Sequence, residues 1–169
     1  ALISVSDKTN LKNLLKVLTK YKIELISSGG TYKEIKKLKF KCLEVSKYTG
    51  SPEILGGRVK TLHPKIHAGI LSMRKNKSHN NDLKNHNYEK IDLVIVNFYP
   101  FEKTLEQTNN HLRIVENIDV GGPTMVRAAA KNYNDVVVIT SSDQYIELIN
   151  EIEKNKGSTS INFREKMSS

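Results

Sequence analysis

No stretch of this chain approaches the roughly 20 consecutive apolar residues that a membrane-spanning helix needs, so the sequence reads as that of a soluble protein with no membrane partner. The N-terminus also lacks the basic segment, hydrophobic core and small-residue cleavage site of a secretory signal. It opens directly on a strand-like ALISV, and the missing Met suggests slight trimming. Cysteine is nearly absent. The single thiol, Cys42 in the run FKCLEV, excludes an internal disulfide and a multi-cysteine metal site, and it fits a reducing cytoplasm. Acidic residues are in deficit, 18 against 27 basic ones, and the net charge of +9 favours an anionic partner or substrate. Yet the lysines between Lys8 and Lys90 are scattered, with no block of five or six. Without an aromatic-stacking signature or a zinc-finger spacing, nucleic acid is not expected as a partner.

What is present suits one α/β domain of 169 residues. Buried-strand patterns run over Ala1–Val5, Ile23–Ser27, Phe40–Val45, Ile91–Asn97 and Asp135–Thr140. Helical patterns fall between them. Leu11, Leu14, Leu15 and Leu18 make an amphipathic stripe, a second helix begins near Tyr32, Ser78–Tyr88 reads as a polar surface helix, and Ser142–Lys154 carries Tyr145, Ile146, Leu148, Ile149 and Ile152 on one side. Alternation of this kind predicts a three-layer, mostly parallel sheet with helices on both faces, while leaving the strand order open. The domain is expected over residues 1–155, with 156–169 a polar tail or the start of a linker.

Four places carry candidate chemistry. Ser28, Gly29, Gly30 and Thr31 stand between a strand and a helix, where backbone amides and hydroxyls can hold a phosphate; a tight turn capped by Thr31 fits the same residues. Residues 46–69 lose periodicity, and long irregular segments in compact domains are commonly functional. Within them Arg58 and Lys60, two apart, share one side of an extended chain and could grip one anion, or stand as solvated surface cations. His63 and His67 are four apart, but Pro64 disfavours a helix running through both and no glutamate follows His63 in the metalloprotease position, so no metal is expected. Asn97 and Tyr99 follow the clearest strand, where ligands bind in open parallel sheets. Finally NIDVGGPTMVRAAAKN, Asn117–Asn132, joins a flexible Gly121–Gly122–Pro123 entrance to a helix. It is an anion-ready N-terminus beside Asp119, or an ordinary capped helix with Lys131 favouring its dipole.

Taken together, SVSDK, ISSGGT, GGRVKTLHPKIHAGIL, NFYPF and NIDVGGPTMVRAAAKN resemble the inosine monophosphate cyclohydrolase domain. That domain forms the N-terminal part of the bifunctional purine-biosynthesis protein, which also carries aminoimidazole carboxamide ribonucleotide transformylase. The motifs occur in the family's order over nearly the whole chain. Ser51 stands where the family usually has Phe, Ser28 replaces a common Thr, and the remaining two-thirds or so of the bifunctional protein is absent. The resemblance implies a methylglyoxal-synthase-like, Rossmann-like fold. It also implies closure of the second purine ring, from 5-formamidoimidazole-4-carboxamide ribonucleotide to inosine monophosphate and water, without metal or organic cofactor. A homodimer and a fused transformylase domain are implied for the full-length protein.

By the same resemblance the phosphate falls to Ser6, Lys8, Ser28, Gly30, Thr31, Arg58 and Thr61, with Asn97 and Gly121 also binding substrate, and catalysis falls to Lys60, Tyr99, Asp119 and Lys131. Asp119 would deprotonate the carboxamide with Lys131 as its partner, and Lys60 with Tyr99 would stabilise the oxyanion and assist loss of water. A helix from Pro123 to Lys131 spans about 12 Å, so the loop bearing Asp119 must fold back for that pair to meet. The alternative is a non-catalytic methylglyoxal-synthase-like domain that binds a phosphorylated regulator. Methylglyoxal synthase itself is disfavoured by RVKTLHP.

Overall fold

The computed structural model describes residues 1–98 and 110–169. Five strands, β1 (Leu2–Val5), β2 (Ile26–Ser27), β3 (Leu43–Glu44), β4 (Leu93–Asn97) and β5 (Val137–Ile139), form one sheet in the order β3-β2-β1-β4-β5. Every pairing is parallel. The chain winds outward from β1 to β3, then crosses back to lay β4 on the other side of β1. That reversal opens a crevice at the carboxyl ends of β1 and β4.

Alternation along the strands explains the three layers. Ile3, Val5, Leu93, Ile95, Val137 and Ile139 point to one face, where they meet the leucine stripe of α1 (Leu11–Lys20) and Tyr145, Leu148 and Ile152 of α8 (Tyr145–Lys154). Leu2, Val94, Val96 and Val138 point to the other, against Ile66 and Ile70 of α4 (Pro64–Leu71) and Met125, Ala128 and Ala129 of α7 (Gly121–Lys131). Both faces are thus covered, as a parallel sheet requires. The alanines let α7 lie close on the sheet. Four further helices complete the described chain before α8: α2 (Gly29–Lys37), α3 (Val45–Thr49), α5 (Lys77–His86) and α6 (His111–Glu116).

Several expected boundaries move. Ladder pairing keeps only two residues of the second strand and two of the third: both lose residues at their amino ends, and the third also gives up Val45 to α3. The segment 46–69 is less irregular than its fading periodicity suggests: it holds the end of α3, a 3₁₀ turn at Leu55–Gly57 and the start of α4. Pro64 occupies the first helical position, where its missing N–H costs nothing, and the His63 ring caps the helix by accepting from Lys65 N at 3.0 Å. The residues expected as a polar tail carry a further helix, α9 (Ile161–Ser168). Its two buried side chains, Phe163 and Met167, are four apart on one face and join the core beside α8, a spacing too sparse to register as amphipathic.

If α9 is part of the core, Phe163→Ala lowers unfolding stability by about 3–5 kcal/mol, while truncating half-exposed Ile161 costs far less. Urea midpoints for the two variants measure this, and equal midpoints would show that α9 is not held by its buried face.

Candidate functional site

At the carboxyl ends of β1 and β2 lies an open cleft of about 720 Å³. Its floor is the turn after β1, its back wall the SSGGT turn, and its front the chain from Gly56 to Thr61 together with residues 115–125. Ten of the residues singled out in the sequence line it: Ser6, Lys8, Ser28, Gly30, Thr31, Arg58, Lys60, Thr61, Asp119 and Gly121. Segments separated by more than a hundred residues are thereby brought to one place.

The β1 turn is shaped from outside the cleft. Asn97, at the end of β4, is buried, and its Oδ1 accepts from Ser6 N at 2.7 Å and Asp7 N at 2.9 Å while its Nδ2 donates to Asp7 O at 2.9 Å. Asn97 therefore does not line the cleft as a ligand group; it clamps the turn that presents Ser6 and Lys8. Ser142 Oγ donates to Asp7 Oδ2 at 2.8 Å, and hydrogen bonds from Thr9 and then Ser142 hold the Asp7 carboxyl below its usual range. Lys8 Nζ folds back on the carbonyls of Val5 and Ser6, at 3.4 and 3.2 Å.

The back wall is the N-terminus of α2. Ser28 is extended and Gly29 has φ +54°, so the first amides of the helix, which have no partner within it, face the cleft. A Cβ on Gly29 would be strained at that φ and would sit 3.5 Å from Lys60 Nζ. The Thr31 hydroxyl is buried and turned inward, accepting from Val5 N and donating to Val5 O at 3.0 Å each, so its side chain fastens α2 to β1 and its backbone remains for a ligand.

At the front, Asp119 caps α7. Its Oδ1 accepts from Gly122 N at 2.9 Å, and a Cβ on Gly122 would lie 2.3 Å from Oδ2, so only glycine admits the carboxylate there. Gly121 meets a similar limit from Thr61 Oγ1, 2.6 Å from where its Cβ would stand. The anion-ready helix start foreseen in the sequence is thus occupied by the protein's own carboxylate. Lys131 is the last residue of the same helix, exposed and about 15 Å away along it. It does not line the cleft, and among the described residues it makes no ion pair with Asp119: the loop does not fold back. Tyr99 lies outside the described residues.

Two carboxylates went unforeseen. Glu116 takes the Arg58 guanidinium with both oxygens, and Glu53 Oε1 pairs with Lys60 Nζ at 3.1 Å. The first pairing spans 58 positions, and no local pattern encodes it. His67 Nδ1 sits 3.3 Å from His63 O, so both histidines are engaged with α4. A larger cavity of about 1040 Å³ opens at the amino ends of the strands, the end opposite to ligand sites in open α/β sheets. Cys42 lines it, with its thiol pushed up to about 11 by burial and hence not a thiolate at neutral pH.

Two family models and several relatives match the chain. The family model described as MGS-like domain matches residues 10–124, and that of the AICARFT/IMPCHase bienzyme matches residues 129–169. The bifunctional purine biosynthesis protein PurH of Bradyrhizobium diazoefficiens is 47% identical over 167 residues, and that of Rippkaea orientalis 50% over 169. Each alignment covers 99% of this chain but 32% and 33% of the relative, so the chain spans about a third of the length of the curated relatives it matches. The crystal structure of ForH superposes with a TM-score of 0.87 at 29% identity, covering 99% of this chain and 86% of that one.

The clamp at Asn97 makes a direct prediction. Asn97→Leu leaves the Asp7 amide and carbonyl without the Asn97 side chain and the Ser6 amide with only its long 3.5 Å bond to Asn97 O, and it lowers stability by about 2 kcal/mol. Asn97→Asp keeps the Oδ1 acceptor and loses less. Thermal denaturation of the two variants distinguishes a clamp from an idle side chain, which would leave both midpoints unchanged.

Proposed function

The chain belongs to the MGS-like domain family, and on that premise we propose that it is an inosine monophosphate cyclohydrolase, closing the purine's second ring with loss of water. The observation that carries the proposal is that Lys60 and Asp119 line the same cleft as the SSGGT turn and Arg58. A domain that only bound a phosphorylated regulator would need the anion site without an acid–base pair across from it. The names of its relatives support the same reading.

In this reading the substrate's phosphate enters against the α2 amides, Ser6, Lys8, Arg58 and Thr61, and the imidazole with its two substituents extends toward Asp119. The carboxamide nitrogen is a poor nucleophile, and holding it against the formyl carbon is the first contribution of the cleft. Asp119, with Oδ1 fixed by Gly122 N, accepts the carboxamide proton as the C–N bond forms. The Lys60 ammonium faces the formyl oxygen, stabilises the charge that develops there and gives it a proton as water leaves. The formyl oxygen takes its second proton from Asp119, and the formamido N–H passes its own to the Lys60 amine as the ring C=N bond forms, so two protons leave nitrogen, two reach oxygen, and the overall reaction loses only water. Lys131, exposed at the far end of α7, is given no step. The proposal extends to a homodimer, which the exposed apolar side chains Leu55, Ile118 and Val120 support. It extends also to a cytoplasmic setting and, in the full-length protein, to a fused transformylase.

The test is conversion of the formylated ribonucleotide to inosine monophosphate, followed by absorbance. Asp119→Asn and Lys60→Ala are expected to lower kcat by at least about 100-fold while leaving nucleotide affinity near wild type. Arg58→Ala is expected to act mainly on KM. Full turnover in either of the first two variants, or binding without any turnover in the wild type, would overturn the reading in favour of a regulator-binding domain.

A further inference from the structure

Arg58 is one of the cations that line the cleft, and its guanidinium is already taken. Its Nε lies 3.3 Å from Glu116 Oε1, and its Nη2 is bonded to the other carboxylate oxygen, so the guanidinium presents to Glu116 the two-pronged face that a phosphate would use. Each partner answers electrostatically: the hydrogen bond to Glu116 pushes the guanidinium further up from its ordinary value, and the same bond holds the Glu116 carboxyl below the carboxylate range. Both side chains remain well exposed, at 64% and 59%, which makes the pair weak enough to exchange.

Glu116 is the last residue of α6, a six-residue helix with no buried side chain. Leu112 is 79% exposed and Val115 42%. Among the described residues no side chain of this helix is buried, so drawing Glu116 aside uncovers none of them. Glu116 and Val115 line the cleft with Arg58, which sets the carboxylate at the cleft wall beside the cation.

We propose that Glu116 is an internal stand-in for the phosphate: it holds the Arg58 guanidinium in binding geometry and is exchanged for the nucleotide's phosphate, so that it sets nucleotide affinity and couples binding to release of α6. The inference rests on the reading of Arg58 as a phosphate ligand. Exchange is possible because the phosphate of a nucleotide carries more charge than one carboxylate and brings further contacts from the α2 amides. By reciprocity, whatever strengthens the hold of Glu116 weakens nucleotide binding by the same factor.

Calorimetric titration of the wild type, Glu116→Gln, Arg58→Ala and the double variant with inosine monophosphate, and with inosine as the phosphate-free probe, tests the exchange. Glu116→Gln is expected to bind the nucleotide about two- to fivefold more tightly and inosine as before, and the gain is expected to vanish on the Arg58→Ala background. Amide exchange over residues 111–116 supplies a second readout: nucleotide accelerates it in the wild type and leaves it unchanged in Glu116→Gln. If Arg58→Ala binds the nucleotide like wild type, the assignment of Arg58 is at fault. If Arg58→Ala is weak but Glu116→Gln shows no gain, or the gain persists without Arg58, the exchange is refuted, as it is by wild-type amide exchange that ignores nucleotide.

Discussion

Everything at the cleft depends on the pairing of β1 with β4, the two central strands between which the winding of the sheet reverses. Their register sets Val5 beside Asn97, so the side chain that ends β4 reaches the amides of the turn that ends β1. A turn carrying Ser6 and Lys8 would otherwise have three backbone groups to satisfy in a partly dry setting, and its conformation would drift. The same central pair supports the opposite walls. Thr31 hangs α2 from Val5, and α7 packs on Val94 and Val96 to deliver Asp119. Three walls of the cleft are therefore referred to one ladder of hydrogen bonds, which is how residues from distant parts of the chain keep sub-ångström relations.

Around this frame the cleft's charges are balanced before any ligand is considered. Arg58 and Lys60 each have a carboxylate, Lys8 rests on backbone carbonyls, and Asp119 rests on the amide of Gly122. Such pairing lowers the cost of holding three cations close together. Each group is held in position by a partner within the protein, and the amides at the start of α2 form a donor array that needs no rearrangement.

Much of this was legible because it is written locally. The leucine stripe of α1, the continuous apolar run of β4 and the strand–SSGGT–helix order each follow from period and punctuation within ten residues. They give the layers and the glycine turn that walls the cleft. The pairing of Glu116 with Arg58 was not legible, since it joins residues brought together only by the finished fold. Asn97 was read as a ligand group because it ends a strand at the binding edge. Its side chain is instead spent on the neighbouring strand's turn, a choice between two polar uses of one position that no spacing decides. Lys131 stood near Asp119 in the sequence, but a straight helix carries it away at 1.5 Å per residue. The last helix escaped notice because two buried side chains suffice to seat it against a core that already exists.

The brevity of the outer strands has a consequence for how this protein behaves in company. β3 and β5 form the two borders of the sheet, and they extend over two and three residues. An unpaired border is a template on which a strand of another molecule can zip, and the Val136–Ile139 run VVVI is the sort of sequence that would do so if displayed at length. Borders this short offer a stranger almost no ladder to extend. The chain can therefore keep a sheet interior rich in valine and isoleucine and still resist growing into fibrils when it is concentrated.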